Sequence, residues 1–160
     1  MFRVMRRNKQ MLPPEETEAI LRDGLSGVLA VSGDDGYPYA VPLSYAYADG
    51  KLYFHWATSG HKLDCIRQND KASFCVIGQD EIVPEAFATN YKSAIAFGRA
   101  RIVSDDETKR RGLELLARKY SPGYEREGEA EIEKDWQAVT VVEMLVEHLT
   151  GKEALGLARQ

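Results

Sequence analysis

Cysteine is scarce in this chain of 160 residues: there are two, Cys65 and Cys75. They form no Cys-x-x-Cys pair and match no zinc spacing. That pattern predicts two reduced, buried thiols, one on a short helix and one on the next strand, and neither a disulfide frame nor a metal clamp. His55, His61 and His148 lie scattered, so no metal is expected. No apolar run approaches the ~18 residues that span a bilayer. The opening MFRVMRRNKQ lacks the apolar core of a signal peptide. No membrane partner and a cytoplasmic location are expected. A basic surplus is missing too: 21 Lys and Arg stand against 25 Asp and Glu, a net charge of −4. That argues against a nucleic-acid partner, which needs a basic face. Arg3 and the run Arg6-Arg7-Asn8-Lys9 are the local exception and read as a solvated end or a contact with a partner subunit. There is no Gly-x-Gly-x-x-Gly fingerprint, which argues against a Rossmann domain.

What is present is strand-rich. Pro13-Pro14 followed by Glu15, Glu16 and Glu18 starts a helix, with Gly24 as its stop. Val28–Val31 reads as a strand, and Tyr37–Tyr47 as one long strand in which Pro42 marks a bulge or an edge. Lys51–Trp56 follows, so these three predict a meander joined by tight turns. His61–Asn69 is short and helical, Ala72–Ile77 extended, Gln79–Tyr91 irregular. Ser93–Val103 is a strand with a bend at Gly98. Ser104 caps a helix running to about Tyr120, in a box completed by Glu107. Glu125–Asp135 is a charged helix with a solvated face, Ala138–Glu147 the last strong strand, and the tail from Thr150 weakly structured or briefly helical. The sum is a mainly β, α+β protein: an antiparallel barrel with peripheral helices.

The segment Lys51–Gly78 says most about chemistry. An aromatic strand, Leu52–Trp56, runs into Ala57-Thr58-Ser59-Gly60, and a helix opens at His61-Lys62. Backbone N–H groups, a hydroxyl, a glycine and an amine then converge at one helix N-terminus, a natural seat for a phosphate. The apolar strand beside it suits a flavin mononucleotide better than a nucleic-acid backbone.

With those segments laid out, the chain resembles the pyridoxamine 5′-phosphate oxidase-like, FMN-binding split β-barrel proteins, and among them the nitroimidazole-resistance reductases. The likeness is carried by Met5-Arg6-Arg7, Gly27-Val28-Leu29-Ala30, Asp35-Gly36-Tyr37-Pro38-Tyr39, Val41-Pro42-Leu43-Ser44-Tyr45, Tyr53-Phe54-His55, Gly60-His61-Lys62, Phe97-Gly98-Arg99-Ala100 and Glu147–Lys152. It implies one FMN-binding split barrel over residues 1–160, with an arm and helix over 1–24, inserted helices over 104–136 and a final strand over 138–148. It implies a homodimer with FMN at the subunit interface. Val41, Pro42, Leu43 and Ser44 would lie along the ring, His55, Trp56, Ala57 and Ser59 along the ribityl chain, and Gly60, His61 and Lys62 at the phosphate. Asn90, Tyr91 and Trp136 would close the site from the second subunit. The true oxidases carry Ser-Arg-Lys where this chain has Gly60-His61-Lys62, which implies a weaker phosphate grip supplemented by backbone N–H groups and Ser59. They also carry a C-terminal arginine-containing substrate motif that is not found in LTGKEALGLARQ, so pyridoxamine phosphate is not the expected substrate.

Each residue also has a plainer reading. Lys62 could be an ordinary exposed helix lysine. His55 could be bonded to backbone, or could donate a proton to a reduced nitro group, which makes it the catalytic candidate. His61 divides between phosphate contact and a solvated helix start, and Trp136 between a core anchor and a flavin neighbour. Two function classes stay open: an oxidoreductase passing electrons from a reduced nicotinamide cofactor or a redox protein to a small aromatic substrate, and a flavin-binding module without turnover. A split barrel built around haem or a deazaflavin is the third reading.

Overall fold

The computed structural model describes residues 1–158. They form four α-helices, α1 (Pro14–Asp23), α2 (His61–Gln68), α3 (Asp106–Tyr120) and α4 (Glu125–Asp135). Seven strands accompany them: β1 (Gly27–Ser32), β2 (Pro38–Leu43), β3 (Ala46–Ala48), β4 (Lys51–Ala57), β5 (Lys71–Val83), β6 (Ala88–Ile102) and β7 (Val139–Glu153). All pair antiparallel, in the order β2-β1-β5-β6-β7-β4-β3.

That order forces a barrel. The two edge strands, β2 and β3, are separated in sequence only by Ser44 and Tyr45. Laid flat, seven strands would put those edges about 29 Å apart. Three peptide steps reach about 11 Å. The sheet therefore curls until its edges meet, and they meet without a ladder between them.

The mixed pattern of side chains follows from the curl. Leu29, Leu52, Phe54, Phe74, Val76, Val142 and Met144 fill the interior, all fully buried. Leu21 of α1 and Leu63 and Ile66 of α2 join the same core. The opposite face of β4 and β7 presents Tyr53 and Val141, which α3 and α4 cover with Leu113 and Ile132 to make a second, smaller core. Burying these apolar faces is the main stabilising term, roughly 25 cal/mol per Å² of apolar surface.

Several expectations need correction. The stretch Tyr37–Tyr47 is two strands: at Tyr45 the side chain turns into the core, where its hydroxyl donates to Leu21 O at 2.6 Å. So β1, β2 and β4 are no meander, since β1, β5, β6 and β7 separate β2 from β4 in the sheet order. Residues Gln79–Tyr91 are not irregular. They extend β5 and β6 into a long hairpin after a register shift between Ile77 and Gln79. This arm packs on no core, so its side chains lack the alternation that would have betrayed it. The last strand runs beyond 148 to Glu153, paired to Lys92, and residues 154–158 make a turn. The cap of α3 is Asp105, one residue after the expected Ser104, and its carboxylate accepts from the Thr108 N–H at 2.8 Å. The bend at Gly98 is present as a register shift against β7. A Cβ there would sit 1.9 Å from the Leu145 carbonyl oxygen, so only glycine fits.

Candidate functional site

The unpaired seam of the barrel is where a site can form. On one lip lies β2, which pairs with β1 on one side only. On the other lip, β3 covers β4 no further than Tyr53, while β7 pairs with β4 through Ala57. The edge of Phe54–Ala57 that faces away from β7 thus has no strand partner. Pro42 suits its lip, because it has no N–H to leave unmatched.

One end of the seam opens at the start of α2. Gly60 precedes this helix with φ 139°, a backbone conformation that glycine alone adopts freely. Its carbonyl accepts from the N–H groups of Leu63 and Asp64, at 3.0 and 3.2 Å. The N–H groups of His61 and Lys62 have no backbone acceptor among the described residues. A shallow cleft of about 110 Å³ lies here, lined by Tyr39, Trp56, Ser59, Gly60, His61 and Lys62. Lys62 Nζ stands 5.1 Å from the centre of the Trp56 ring. Among the described residues it has no carboxylate within 4 Å. Trp56 is itself fixed by stacking on Phe54, with ring centres 5.8 Å apart. His61 packs edge-on to Tyr39 at 4.5 Å, with its Nδ1 3.7 Å from Asp34 and its Nε2 3.6 Å from the Cys65 sulfur. The cleft therefore offers an uncompensated amine, a helix N-terminus and an aromatic wall, which is the donor set an anionic head group requires.

The other end of the seam opens between β4 and the helices α3 and α4. Here Ser44 and His55 line a groove of about 710 Å³, whose floor includes Leu113, Leu116 and Ile132. His55 is exposed and lies on the face of β4 opposite Trp56, because neighbouring strand residues alternate. The seam thus connects two openings: Tyr39 and Trp56 meet at one, Ser44 and His55 at the other.

Val41, Pro42, Leu43, Ser44, His55, Trp56, Ala57, Ser59, Gly60, His61 and Lys62 are accordingly brought to one continuous feature. Asn90, Tyr91 and Trp136 are not among the residues lining it within one chain. Asn90 and Tyr91 lie on the β5–β6 hairpin, paired with Glu81 and Asp80. Trp136 caps α4, held by Lys109 at 4.6 Å and Arg110 at 5.3 Å from its ring centre. Tyr39 was not read as a site residue, although its place two residues before Val41 on the same strand face was a usable signal. The stripe Glu127, Glu131 and Asp135, read as a solvated face, borders the groove. Their spacing of four places them on one side of a helix.

Of the two thiols expected to be buried, Cys65 is buried and Cys75 is half-buried. Burial, then the nearby carboxylates of Asp34 and Asp64, pushes the Cys65 thiol up, and burial does the same to Cys75, which disfavours the reactive thiolate at both. Among the described residues no group of three or more His, Cys, Asp and Glu side chains is arranged to hold a metal. No helix is long and apolar enough to cross a membrane.

The comparisons agree with this geometry. A family model described as pyridoxamine 5′-phosphate oxidase matches residues 13–153. The uncharacterized protein RA0666 of Rhizobium meliloti (strain 1021) is 31% identical over 90 residues, 56% of this chain and 54% of that protein, so the match spans about half of that relative's length. Among solved structures, the conserved hypothetical protein Rv2991 of Mycobacterium tuberculosis has a TM-score of 0.81 at 19% identity, covering 96% of this chain and 92% of its own. A candidate 5-nitroimidazole antibiotic resistance protein of Bacteroides thetaiotaomicron VPI-5482 has 0.75 at 21%, covering 89% and 86%. An FAD-binding protein of Mesorhizobium loti has 0.64 at 26%, covering 91% and 97%. The unpaired seam and helices of this chain are the split-barrel architecture, and the chain belongs to the pyridoxamine 5′-phosphate oxidase family.

Proposed function

We propose that the protein is an FMN-dependent oxidoreductase that works as a homodimer and reduces small aromatic acceptors of the nitroimidazole type. The observation that carries this is the seam itself: a cleft at its α2 end, with a helix N-terminus and the amine of Lys62, continues into a slot walled by two strand edges with free backbone groups. Lys62 would neutralise the phosphate. The free N–H groups of His61 and Lys62 would bond its oxygens. The lips Val41–Ser44 and Phe54–Ala57 would fix the ring plane and meet its polar edge with backbone donors and acceptors. FMN, when bound, supplies the electron transfer; the chain supplies position and electrostatics. His55, at the far end of the slot, is placed to give a proton to a reduced acceptor.

The need for a second copy is also physical. Ligand sites usually enclose about 300–1,000 Å³, and the α2 cleft holds about 110 Å³. Something else must cover the ring. Beyond the seat, the outer face of the barrel carries an uncharged patch: Val28, Cys75 and Ile95 lie in one row across β1, β5 and β6, and Ala30, Ser73 and Phe97 in the next. Val28, Ile95 and Phe97 are 40%, 37% and 38% exposed. A patch of this kind fits a second copy of the chain. Asn90, Tyr91 and Trp136, which stand apart from the slot of their own chain, would then close the slot of the partner.

A second reading, FAD in place of FMN, is favoured by one feature. Ser59, Gly60 and His61 leave the mouth of the seat exposed, with room for a longer nucleotide. Denaturing the purified protein and identifying the released molecule separates the two. Steady-state reduction of a nitroimidazole with NADH or NADPH tests the activity, and absence of turnover with every donor would reduce the protein to a binding module.

A further inference from the structure

The groove at the His55 end of the seam is larger than the proposed cofactor seat and has a marked chemical character. It holds about 710 Å³ and runs between α3, α4 and the outer face of β4. Its floor is apolar, with Leu113 and Leu116 from α3, Ile132 from α4 and Val139 at the start of β7. Tyr120 and Tyr124 supply aromatic walls. Three carboxylates, Glu127, Glu131 and Asp135, stand on successive turns of α4 along one rim, and no lysine or arginine lines the groove. Glu131 shares Lys134, with 3.1 Å between them. Glu127 and Asp135 have no cation within 4 Å among the described residues. Elsewhere several exposed carboxylates are paired: Asp64 with Arg67, Asp70 and Glu147 with Arg99, Glu133 with Arg110. The rim is therefore a local negative field over an apolar trough, and it continues into the slot through Ser44 and His55.

We infer that this groove is a binding site for a cationic aromatic molecule, which it presents to the slot as the substrate of the flavin. The role as substrate site rests on the functional reading above; the charge preference does not. An apolar floor takes a planar ring by burial. The rim carboxylates favour a positive substituent over a neutral or negative one of the same shape. Aromatic walls add attraction for a cation, as tyrosine faces are negative. A phosphorylated or carboxylated substrate would meet repulsion here.

The test uses three nitrophenyl probes: 4-nitrobenzyltrimethylammonium, its neutral isostere with a tert-butyl group in place of trimethylammonium, and the anion 4-nitrobenzoate. Binding to the purified protein is measured by calorimetry, with and without added FMN, at two salt concentrations. The expected result is that the cation binds at least about tenfold more tightly than the neutral probe, more weakly at high salt, and that the benzoate binds least. The variant carrying Glu127→Gln, Glu131→Gln and Asp135→Asn should bring the cation level with the neutral probe while leaving FMN affinity and the thermal midpoint unchanged. These residues are exposed, so the variant should fold. Equal binding of the three probes, or a cation preference that survives in the triple variant, would overturn the inference. Failure of the flavin reading shows separately, as absence of FMN binding, and leaves the comparison of probes intact.

Discussion

The Tyr120 hydroxyl accepts the backbone N–H of Tyr45 at 2.8 Å. Tyr45 is the second of the two residues that carry the chain from one edge of the sheet to the other. The same hydroxyl has the carbonyl oxygens of Leu25 and Tyr45 within 2.6 and 2.9 Å as acceptors for its proton. Lys119, next to it, donates to Gly24 O at 2.5 Å and lies 4.0 Å from the Tyr45 ring centre. The end of α3 is thus the clasp that holds the barrel closed where no strand ladder does. Tyr120→Phe should lower stability by about 1–2 kcal/mol, since it leaves Tyr45 N–H without its partner. It should also weaken FMN binding, because the β2 lip ends at this point. Urea midpoints and flavin titration measure the two effects.

The proposed dimer face gives a second prediction. Phe97→Glu puts a charge in the centre of the apolar outer face, where Phe97 pairs with Ser73 on one side and His148 on the other. In the single chain the side chain is 38% exposed, so the monomer should keep its fold. Light scattering should report a monomer, and flavin retention should fall with it. A dimer that retains its flavin would place the interface elsewhere.

Gly60 allows a clean separation of backbone from contact. A Cβ there would meet nothing within 4 Å, yet φ is 139°. Gly60→Ala should therefore cost about 1–3 kcal/mol of backbone strain. The chain can relieve it by re-orienting the first turn of α2, which would turn the free N–H groups away. FMN affinity should fall while the melting profile of the rest of the barrel changes little, as circular dichroism would show.

A pH dependence follows from Glu143, which is 4% exposed on β7. Burial pushes its carboxyl up, but hydrogen bonds from Lys51 Nζ at 3.1 Å and Arg101 Nε at 2.9 Å, with Tyr53 adding to them, outweigh burial and hold it below the usual glutamate value. A depressed carboxyl contributes stability that is present above the unfolded-state value, near 4.3. It is lost as pH falls through the lowered folded value. Glu143→Gln should cost about 1–3 kcal/mol at neutral pH, moderated because Lys51 and Arg101 are part-exposed and can turn to water. The variant should lose less stability than the parent between neutral pH and pH 3 in acid titrations followed by fluorescence.

How far the sequence was legible depends on where order comes from. The antiparallel barrel, the short helix at His61 and the bend at Gly98 were readable because each rests on local signals: strand alternation, a Ser-Gly before a helix, a glycine within an apolar strand. The meeting of Ser59, Gly60, His61 and Lys62 at the start of α2 was readable for the same reason, since these residues are consecutive in the chain. The break at Tyr45 was not, because nothing local forbids Tyr37–Tyr47 from running straight; what bends it is Tyr120, 75 residues away. The β5–β6 arm was missed because both its faces are solvated and alternation vanishes. The acidic groove was missed because one side of it is a helix face that, alone, reads as solvated. Contacts across the fold decide all three.

The most direct test of the central claim is a pair of titrations, FMN and riboflavin, into flavin-free protein and into its Lys62→Ala variant, followed by quenching of flavin fluorescence. The two ligands share a ring and differ by the phosphate. The account predicts that the parent binds FMN more tightly than riboflavin, and that Lys62→Ala weakens FMN by about 10–100-fold, a loss of some 1.5–3 kcal/mol, while riboflavin affinity stays put. Equal affinity of the parent for both ligands, or an FMN affinity that ignores the loss of Lys62, would contradict it.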